Sequence, residues 1–146
     1  MSSGRILRRR LRTEAPRVSV SATIAIIEDD DSVRAAIVSL VRSLGFVATS
    51  FASAEAFFSS ATLGHADCII TDVQMPGMSG LEVQSQLAGR GDRTPVIFVT
   101  AFPEERVRRQ AIAAGAIGFL AKPFDGDAMS ACIERALKAS GLSGSP

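Results

Sequence analysis

Five short runs rich in β-branched residues alternate along this chain with segments of helical period. The runs lie at residues 23–27, 47–51, 68–71, 96–99 and 117–121. Strands that alternate with helices predict parallel pairing, because each helix returns the chain to the starting end of the sheet. The alternation therefore predicts an α/β fold, in which a five-stranded parallel sheet is covered by helices on both faces.

The segments between these runs carry the apolar stripes and end signals of amphipathic helices. Gly45 ends the first predicted helix, and Ser53 is placed to cap the second. The third helix is predicted at residues 81–87, and the fourth begins near Pro103 and ends at Gly115. The last predicted helix has an apolar face formed by Met129, Cys132, Ile133, Ala136 and Leu137.

The size and composition fit one globular domain. A chain of 146 residues with 47% hydrophobic and 21% charged residues can bury a core without metal or disulfide staples, and its composition excludes wholesale disorder. The longest run without polar side chains, residues 111–121, is about half of a membrane span. We therefore predict one domain at residues 22–140 and no contact with a membrane.

The two ends of the chain are predicted to be tails. Residues 1–17 contain six of the sixteen basic residues and a single acidic residue, Glu14. Because they lack the apolar core of a secretory signal, residues 1–21 are predicted to form a flexible basic tail. An organellar transit peptide and weak contact with nucleic acid or anionic lipid are the alternatives. Residues 141–146 are predicted to form a short C-terminal tail.

Three further observations bear on location and partners. Cys68 and Cys132 lie in apolar stretches without metal-ligand spacing, which is typical of buried free thiols and predicts a cytoplasmic location. The fourth predicted helix carries Arg106, Arg108 and Arg109, but no interleaved aromatic residues accompany them. We predict a solvated basic face and no direct nucleic-acid binding by this domain. The remaining candidate, His65, is predicted to be an exposed loop residue.

Polar side chains follow four of the five predicted strands. The first strand runs into residues 28–31, which are all acidic, the third into Asp72, the fourth into Thr100 and the fifth into Lys122. Parallel strands place these groups at one edge of the sheet, where α/β folds bind ligands. Like-charged carboxylates 4 Å apart repel by about 4 kcal/mol at an effective dielectric near 20. The cluster therefore needs a proton or a cation.

Oxygen ligands around an incomplete cage suit Mg²⁺, which favours sites completed by water and phosphate oxygens. A hydroxyl and an ammonium at the same edge would bind the remaining phosphoryl oxygens. Each piece alone has an ordinary structural explanation, such as a helix cap for the acidic run or a turn for Asp72. Because four strand ends coincide, we favour a joint function, the transfer of a phosphoryl group to a carboxylate.

Residues 22–140 resemble the receiver domain of two-component response regulators. The resemblance rests on four stretches in order, IAIIEDDDSVR, IITDVQMPGMSGLE, VIFVTAF and GAIGFLAKPF. The stretch FASAEAFF further resembles the subgroup whose receivers precede a helix-turn-helix DNA-binding domain, which includes regulators of nitrogen fixation. The resemblance implies a flavodoxin-like sheet with the strand order 2-1-3-4-5.

The resemblance also assigns roles to single residues. It implies that Asp72 is the phosphoacceptor and that Glu28 and Asp29 form the acidic pair beside it. Magnesium would be held by Asp29, Asp72 and the main-chain carbonyl of Gln74, with Glu28 acting largely through water. Glu28 departs from the family pattern, in which an aspartate is commoner at this position, so its longer side chain puts the metal affinity in doubt.

The remaining roles concern the phosphoryl group and the response to it. The resemblance implies that Thr100 binds the phosphoryl group and that Lys122 pairs with it. Phe119 occupies the aromatic switch position, and the Lys122-Pro123 peptide is expected to be cis. The family's response would then change the surface formed by the fourth helix, the fifth strand and the fifth helix.

The predicted function is a signal receiver that takes a phosphoryl group from a sensor histidine kinase or a histidine phosphotransfer protein. It is an acceptor domain rather than an enzyme, apart from promoting its own phosphorylation and dephosphorylation. A phosphorylation-dependent homodimer or a different partner would use the switch surface. The chain is either a single-domain regulator or part of a longer transcription factor.

Two alternatives remain at this point. One is a Mg²⁺-dependent phosphohydrolase that forms an aspartyl phosphate, although its acid/base position, two residues after the acceptor, holds Gln74 here. The other is an interaction module of the same fold that is not phosphorylated.

Overall fold

The computed structural model describes residues 21–141, so the predicted basic tail, apart from Ser21, and residues 142–146 of the predicted C-terminal tail lie outside the described residues. Strands and helices alternate without exception over this range. The elements are β1 (Thr23–Ile27), α1 (Asp31–Ser43), β2 (Val47–Phe51), α2 (Ala54–Phe58), β3 (Cys68–Asp72), α3 (Gly80–Gly89), β4 (Val96–Thr100), α4 (Glu105–Ala113), β5 (Gly118–Ala121) and α5 (Gly126–Ala139).

The five strands form one parallel sheet with the order β2-β1-β3-β4-β5, as the sequence and the resemblance predict. Neighbouring strands are in register at their carboxyl ends. Ile27 pairs with Thr71, Asp72 with Val99, and Thr100 with Ala121. This register brings the residues that follow β1, β3, β4 and β5 to one edge of the sheet.

Helices cover both faces of the sheet because successive residues of each strand point to opposite sides. On one face, α1 and α5 pack against Ile24 and Ile26. On the other face, α2, α3 and α4 pack against Ala25 and Ile27. The predicted apolar face of α5 is buried at all five positions, and β3 and β4 are buried along their whole length.

Two strands are one residue longer than the sequence predicts, and both extra residues matter for the site. β3 includes Asp72 and β4 includes Thr100, since their backbones still pair with the neighbouring strands. Ser53 caps α2 as predicted, its hydroxyl accepting the N–H of Ala56 at 3.0 Å. Cys68 and Cys132 are free and buried, as predicted, and His65 is exposed.

The fourth helix begins near Pro103, as predicted, but Pro103 lies two residues before it and not in its first turn. Glu104 has extended backbone angles of φ −125° and ψ 132°, so α4 begins after it, at Glu105. α4 also has the fewest buried residues of the five described helices, Ala111 alone, and its N-cap residue makes no side-chain hydrogen bond. A hydrogen bond joins α4 to α3, because the Gln84 side-chain amide donates to the Ala111 carbonyl at 3.0 Å.

The Lys122-Pro123 peptide is cis, as the resemblance implies. Among residues 21–141 no helix has the length and apolar character needed to cross a bilayer.

The backbone at the start of α3 lies against the end of β3 so closely that only glycine fits at residue 80. A Cβ on Gly80 would clash with the Asp72 carbonyl oxygen and lie 3.1 Å from the Phe98 ring. Since both neighbours are buried, Gly80→Ala is expected to lower the free energy of unfolding by about 1–3 kcal/mol. Urea denaturation followed by circular dichroism measures the loss.

The matched control is Gly89→Ala at the other end of the same helix. A Cβ there would meet nothing within 4 Å, and the backbone is outside the left-handed region. This variant is expected to gain about 0.4–1 kcal/mol, because alanine reduces the freedom of the unfolded chain. Equal stabilities for the two variants would contradict the packing described at Gly80.

Candidate functional site

Three carboxylates meet at the carboxyl edge of the sheet. Glu28 and Asp29 follow β1, Asp72 ends β3, and one oxygen from each lies within 4.8 Å of the others. Glu28 is fully buried and Asp72 is 5% exposed, whereas Asp29 is open to solvent. The cluster therefore has a buried floor and an open mouth, and all of its side-chain ligand atoms are oxygens. Such hard oxygen ligands fit a small divalent cation such as Mg²⁺.

Lys122 brings a positive charge into this cluster. Its ammonium donates a hydrogen bond to Asp72 Oδ2 at 3.0 Å and lies 2.9 Å from Glu28 Oε1. The ammonium comes from the turn after β5, and the Lys122 N–H donates to the Thr100 carbonyl at 2.8 Å. Burial lowers the pKa of Lys122, but the two carboxylates together outweigh it and raise that pKa above its ordinary value. Lys122 therefore stays charged beside Asp72.

The Glu28 side chain is only partly satisfied by its neighbours. Its Oε2 accepts the Asp30 N–H at 3.1 Å, but Oε1 is buried and accepts no hydrogen bond within the described part of the chain. The ammonium of Lys122 is close to Oε1 without the angles of a hydrogen bond. Burial raises the pKa of the Glu28 carboxyl above its ordinary value, against the opposing effect of Lys122.

The Lys122 ammonium lies 2.9 Å from this buried Glu28 oxygen, and a carboxylate oxygen can bind a second group as well. A divalent ion at the mouth, or a water bound to such an ion, would supply that group. The donor set and the unsatisfied oxygen of Glu28 therefore both fit a Mg²⁺ site.

The Asp72 carboxylate is held at both oxygens. Oδ2 accepts from Lys122, and Oδ1 accepts the Gln74 N–H at 3.2 Å. The loop after Asp72 is fixed in turn by Met75, which is buried, and by Glu55 of α2, whose Oε2 accepts the Met78 N–H at 3.0 Å. The Asp72 carboxylate therefore has a fixed orientation on the buried side of the acidic cluster.

Thr100 and Phe119 lie on the neighbouring strands β4 and β5. Thr100 is 1% exposed, and its hydroxyl accepts the Phe102 N–H at 3.1 Å. The Phe119 ring is half-buried, with its centroid 6.2 Å from that of Phe98. It lines a cavity of about 230 Å³ together with residues of the α4 start, among them Pro103 and Arg108. The Phe119 ring therefore faces the cavity beside α4 on one side and the core residue Phe98 on the other.

The structure brings together most of the side chains that the sequence predicts for the site. The three carboxylates have oxygens within 4.8 Å of one another, Lys122 pairs with Glu28 and Asp72, and the Lys122 N–H bonds to the Thr100 carbonyl. The metal-ligand role predicted for the main-chain carbonyl of Gln74 stays a prediction. The predicted solvated face of α4 is exposed, with Arg108 paired to Glu105 at 2.6 Å.

Two residues that hold the backbone next to the site were not predicted. Arg34 of α1 donates from its guanidinium to the Glu28 carbonyl at 2.9 Å and to Asp31 Oδ1 at 2.6 Å. The spacing of Asp31 and Arg34, three residues apart on a helix, is a sequence signal for this pair. Glu55, which is 23 residues before its partner Met78, has no comparable signal.

The sequence model of the response regulator receiver domain matches residues 24–134. Among curated proteins, the response regulator protein TodT of Pseudomonas putida is 41% identical over 128 residues, which is 88% of this chain and 55% of TodT. The chain spans about half the length of the curated relatives it matches.

Two solved structures are similar in both sequence and fold. The response regulator StyR is 37% identical, with a TM-score of 0.77 over 84% of this chain and 62% of that one. The structure named FixJ-N is 31% identical, with a TM-score of 0.75 over 82% of this chain and 96% of that one. A family match over most of the chain, the shared fold and the converging site residues lead to one conclusion: this chain belongs to the response regulator receiver domains of two-component systems.

Proposed function

We propose that this receiver accepts a phosphoryl group from a phosphohistidine donor onto Asp72, with Mg²⁺ bound beside it. The proposal rests on the charged groups that surround the Asp72 carboxylate. An ammonium lies 3.0 Å away, and two further carboxylates have oxygens within 4.8 Å. A buried carboxylate between a cation and other oxygen ligands suits a nucleophile whose product is a dianionic phosphoryl group.

In the transfer, an oxygen of the Asp72 carboxylate attacks phosphorus, so that an O–P bond forms while the P–N bond of the donor breaks. The electron pair of that bond leaves with the donor imidazole. Charge on the equatorial phosphoryl oxygens needs donors that are already in place. The Lys122 ammonium is such a donor, and the Thr100 hydroxyl on the neighbouring strand would bind the phosphoryl group once it has been transferred.

The residues proposed to hold the metal are those that the resemblance to receiver domains implies. Asp29, Asp72 and the main-chain carbonyl of Gln74 would bind Mg²⁺ directly, and Glu28 would act through a bound water. When bound, Mg²⁺ would neutralise the negative charges of the carboxylates and of the phosphoryl group. Glu28 additionally orients Lys122, since its Oε1 is 2.9 Å from the ammonium.

The donor is proposed to be a sensor histidine kinase or a histidine phosphotransfer protein. Residues 22–140 are proposed as the receiver domain, flanked by the tails at residues 1–21 and 141–146. A cytoplasmic location is consistent with the two buried free thiols. The output is proposed to pass through the surface of α4, β5 and α5, by self-association or by contact with a different protein.

The proposed switch couples Asp72 to this surface through Thr100 and Phe119. A phosphoryl group would draw the Thr100 hydroxyl toward Asp72 and vacate space on the side of β5. The half-buried Phe119 ring could then turn inward, away from the cavity beside α4. Such a change selects between two packings of one element.

The acceptor is tested with acetyl phosphate and Mg²⁺ by intact-mass analysis. One phosphoryl group is expected on the parent protein, labile to hydroxylamine, and none on Asp72→Asn, because an amide oxygen is a poor nucleophile. Asp92→Asn is the control, since that loop residue accepts from Thr94 at the opposite edge of the sheet. Equal labelling of Asp72→Asn and the parent would refute the assignment.

The metal site is tested by NMR titration with Mg²⁺, because the chain has no tryptophan or tyrosine for fluorescence. Asp29→Asn is expected to bind Mg²⁺ at least about tenfold more weakly, since it loses both a ligand and a negative charge. Asp92→Asn is expected to bind like the parent. Equal affinities for Asp29→Asn and the parent would remove Mg²⁺ from the proposal.

The switch is tested with Thr100→Ala, which removes the hydroxyl that would follow the phosphoryl group. This variant is expected to accept phosphate at Asp72 while losing most of the response at Phe119 and α4. NMR shift mapping and sedimentation with beryllofluoride, a phosphoryl mimic, measure the response. Thr49→Ala on the edge strand β2 is the control. Mimic binding to the parent without any change around Phe119 would exclude this route.

A further inference from the structure

We propose that Arg34 is a positioning residue for the metal-binding turn, holding the turn between β1 and α1 so that the Asp29 carboxylate faces the ion. This inference rests on the proposed function and extends it to a residue outside the acidic cluster. The two hydrogen bonds of Arg34 go to Glu28 and Asp31, and not to Asp72 or Lys122. Its effect would pass through the backbone of the turn.

The guanidinium spans the turn from one side to the other. Nη1 donates to the Glu28 carbonyl at 2.9 Å, and Nη2 donates to Asp31 Oδ1 at 2.6 Å. The Arg34 side chain is 22% exposed and its bond to the Glu28 carbonyl is partly buried, whereas the Asp31 side chain is 88% exposed. Two donors on one rigid planar group fix the separation of the two acceptors. Asp29 lies in the segment between them.

Other bonds hold the turn from within. The Asp30 N–H donates to Glu28 Oε2 at 3.1 Å, and Asp30 Oδ1 accepts the Val33 N–H at 2.9 Å. None of these bonds uses the carboxylate of Asp29, which is exposed at the mouth of the cluster. Hydrogen bonds therefore hold the turn on both sides of Asp29, and the Asp29 carboxylate remains available to bind a ligand.

Charge and position predict opposite effects of removing Arg34. A guanidinium bound to the Glu28 main-chain carbonyl lies next to the metal-binding turn and repels a divalent cation, so charge alone predicts that Mg²⁺ binds more tightly to Arg34→Ala. Positioning predicts weaker binding, because groups that orient metal ligands typically contribute tenfold or more to affinity. The sign of the change separates the two roles.

The experiment is an NMR titration of the full chain with Mg²⁺ alone, without a phosphoryl donor. Arg34→Ala is expected to bind about tenfold more weakly than the parent. Arg34→Lys is expected to bind severalfold more weakly as well, because an ammonium keeps the charge but cannot reproduce the planar fork. Arg42→Ala, an exposed arginine in the last turn of the same helix, is the control and should match the parent.

A second measurement separates positioning from a general loss of stability. In acetyl phosphate labelling, the half-saturating Mg²⁺ concentration of Arg34→Ala should rise by the same factor as its dissociation constant. Its rate at saturating Mg²⁺ should stay within about twofold of the parent. A loss confined to the saturated rate would overturn the proposal.

Unchanged or tighter Mg²⁺ binding by Arg34→Ala would also overturn the proposal. If Arg34→Ala does not fold, Arg34→Lys decides alone: severalfold weaker binding supports positioning, and parent-like binding refutes it. These results are distinct from a failure of the proposed function. That failure would show as equal Mg²⁺ binding by the parent and Asp29→Asn, whatever Arg34 does.

Discussion

The ammonium of Lys122 joins the carboxyl ends of three strands. It contacts Asp72 at the end of β3 and Glu28 after β1, and it is itself carried by the turn after β5. Removing these charges from water costs free energy that offsets their attraction, so the ion pairs of Lys122 need not stabilise the fold. Its value is geometric, because one cation fixes the separation of two carboxylates that would otherwise repel each other. Every proposed step at Asp72 depends on that fixed separation.

The architecture follows from the sequence because the pattern of five strands and helices admits few connections. Right-handed crossovers and parallel pairing then place the strand ends at one edge. The boundaries are less predictable, since they depend on tertiary contacts. Asp72 and Thr100 belong to β3 and β4 because neighbouring strands continue past them. The start of α4 depends on the backbone angles of Glu104, for which the residue types around Pro103 give no signal.

At the site, residue types and strand ends predict which groups meet, but not how they share partners. The resemblance implies that Lys122 pairs with a phosphoryl group, whereas the structure places its ammonium against Asp72 and against Glu28, whose longer side chain reaches it. The bond from Met78 to Glu55 joins a loop to a distant helix, so no local pattern marks it. Arg34 differs, because its pairing with Asp31 follows helical spacing. Local rules find contacts within one element, and the fold decides the others.

Because α4 has few buried contacts, it is the place where local unfolding is expected to begin. Ala111 is the one buried residue of that helix, and a single side-chain bond from Gln84 joins it to α3, whereas β3 and β4 are buried at every position. Elements with few buried contacts unfold locally at a small fraction of the global free energy. The amide hydrogens of α4 are therefore expected to exchange with solvent faster than those of the central strands. A partner that reshapes this helix would disturb few contacts with the sheet beneath it, those of Ala111 and Val107.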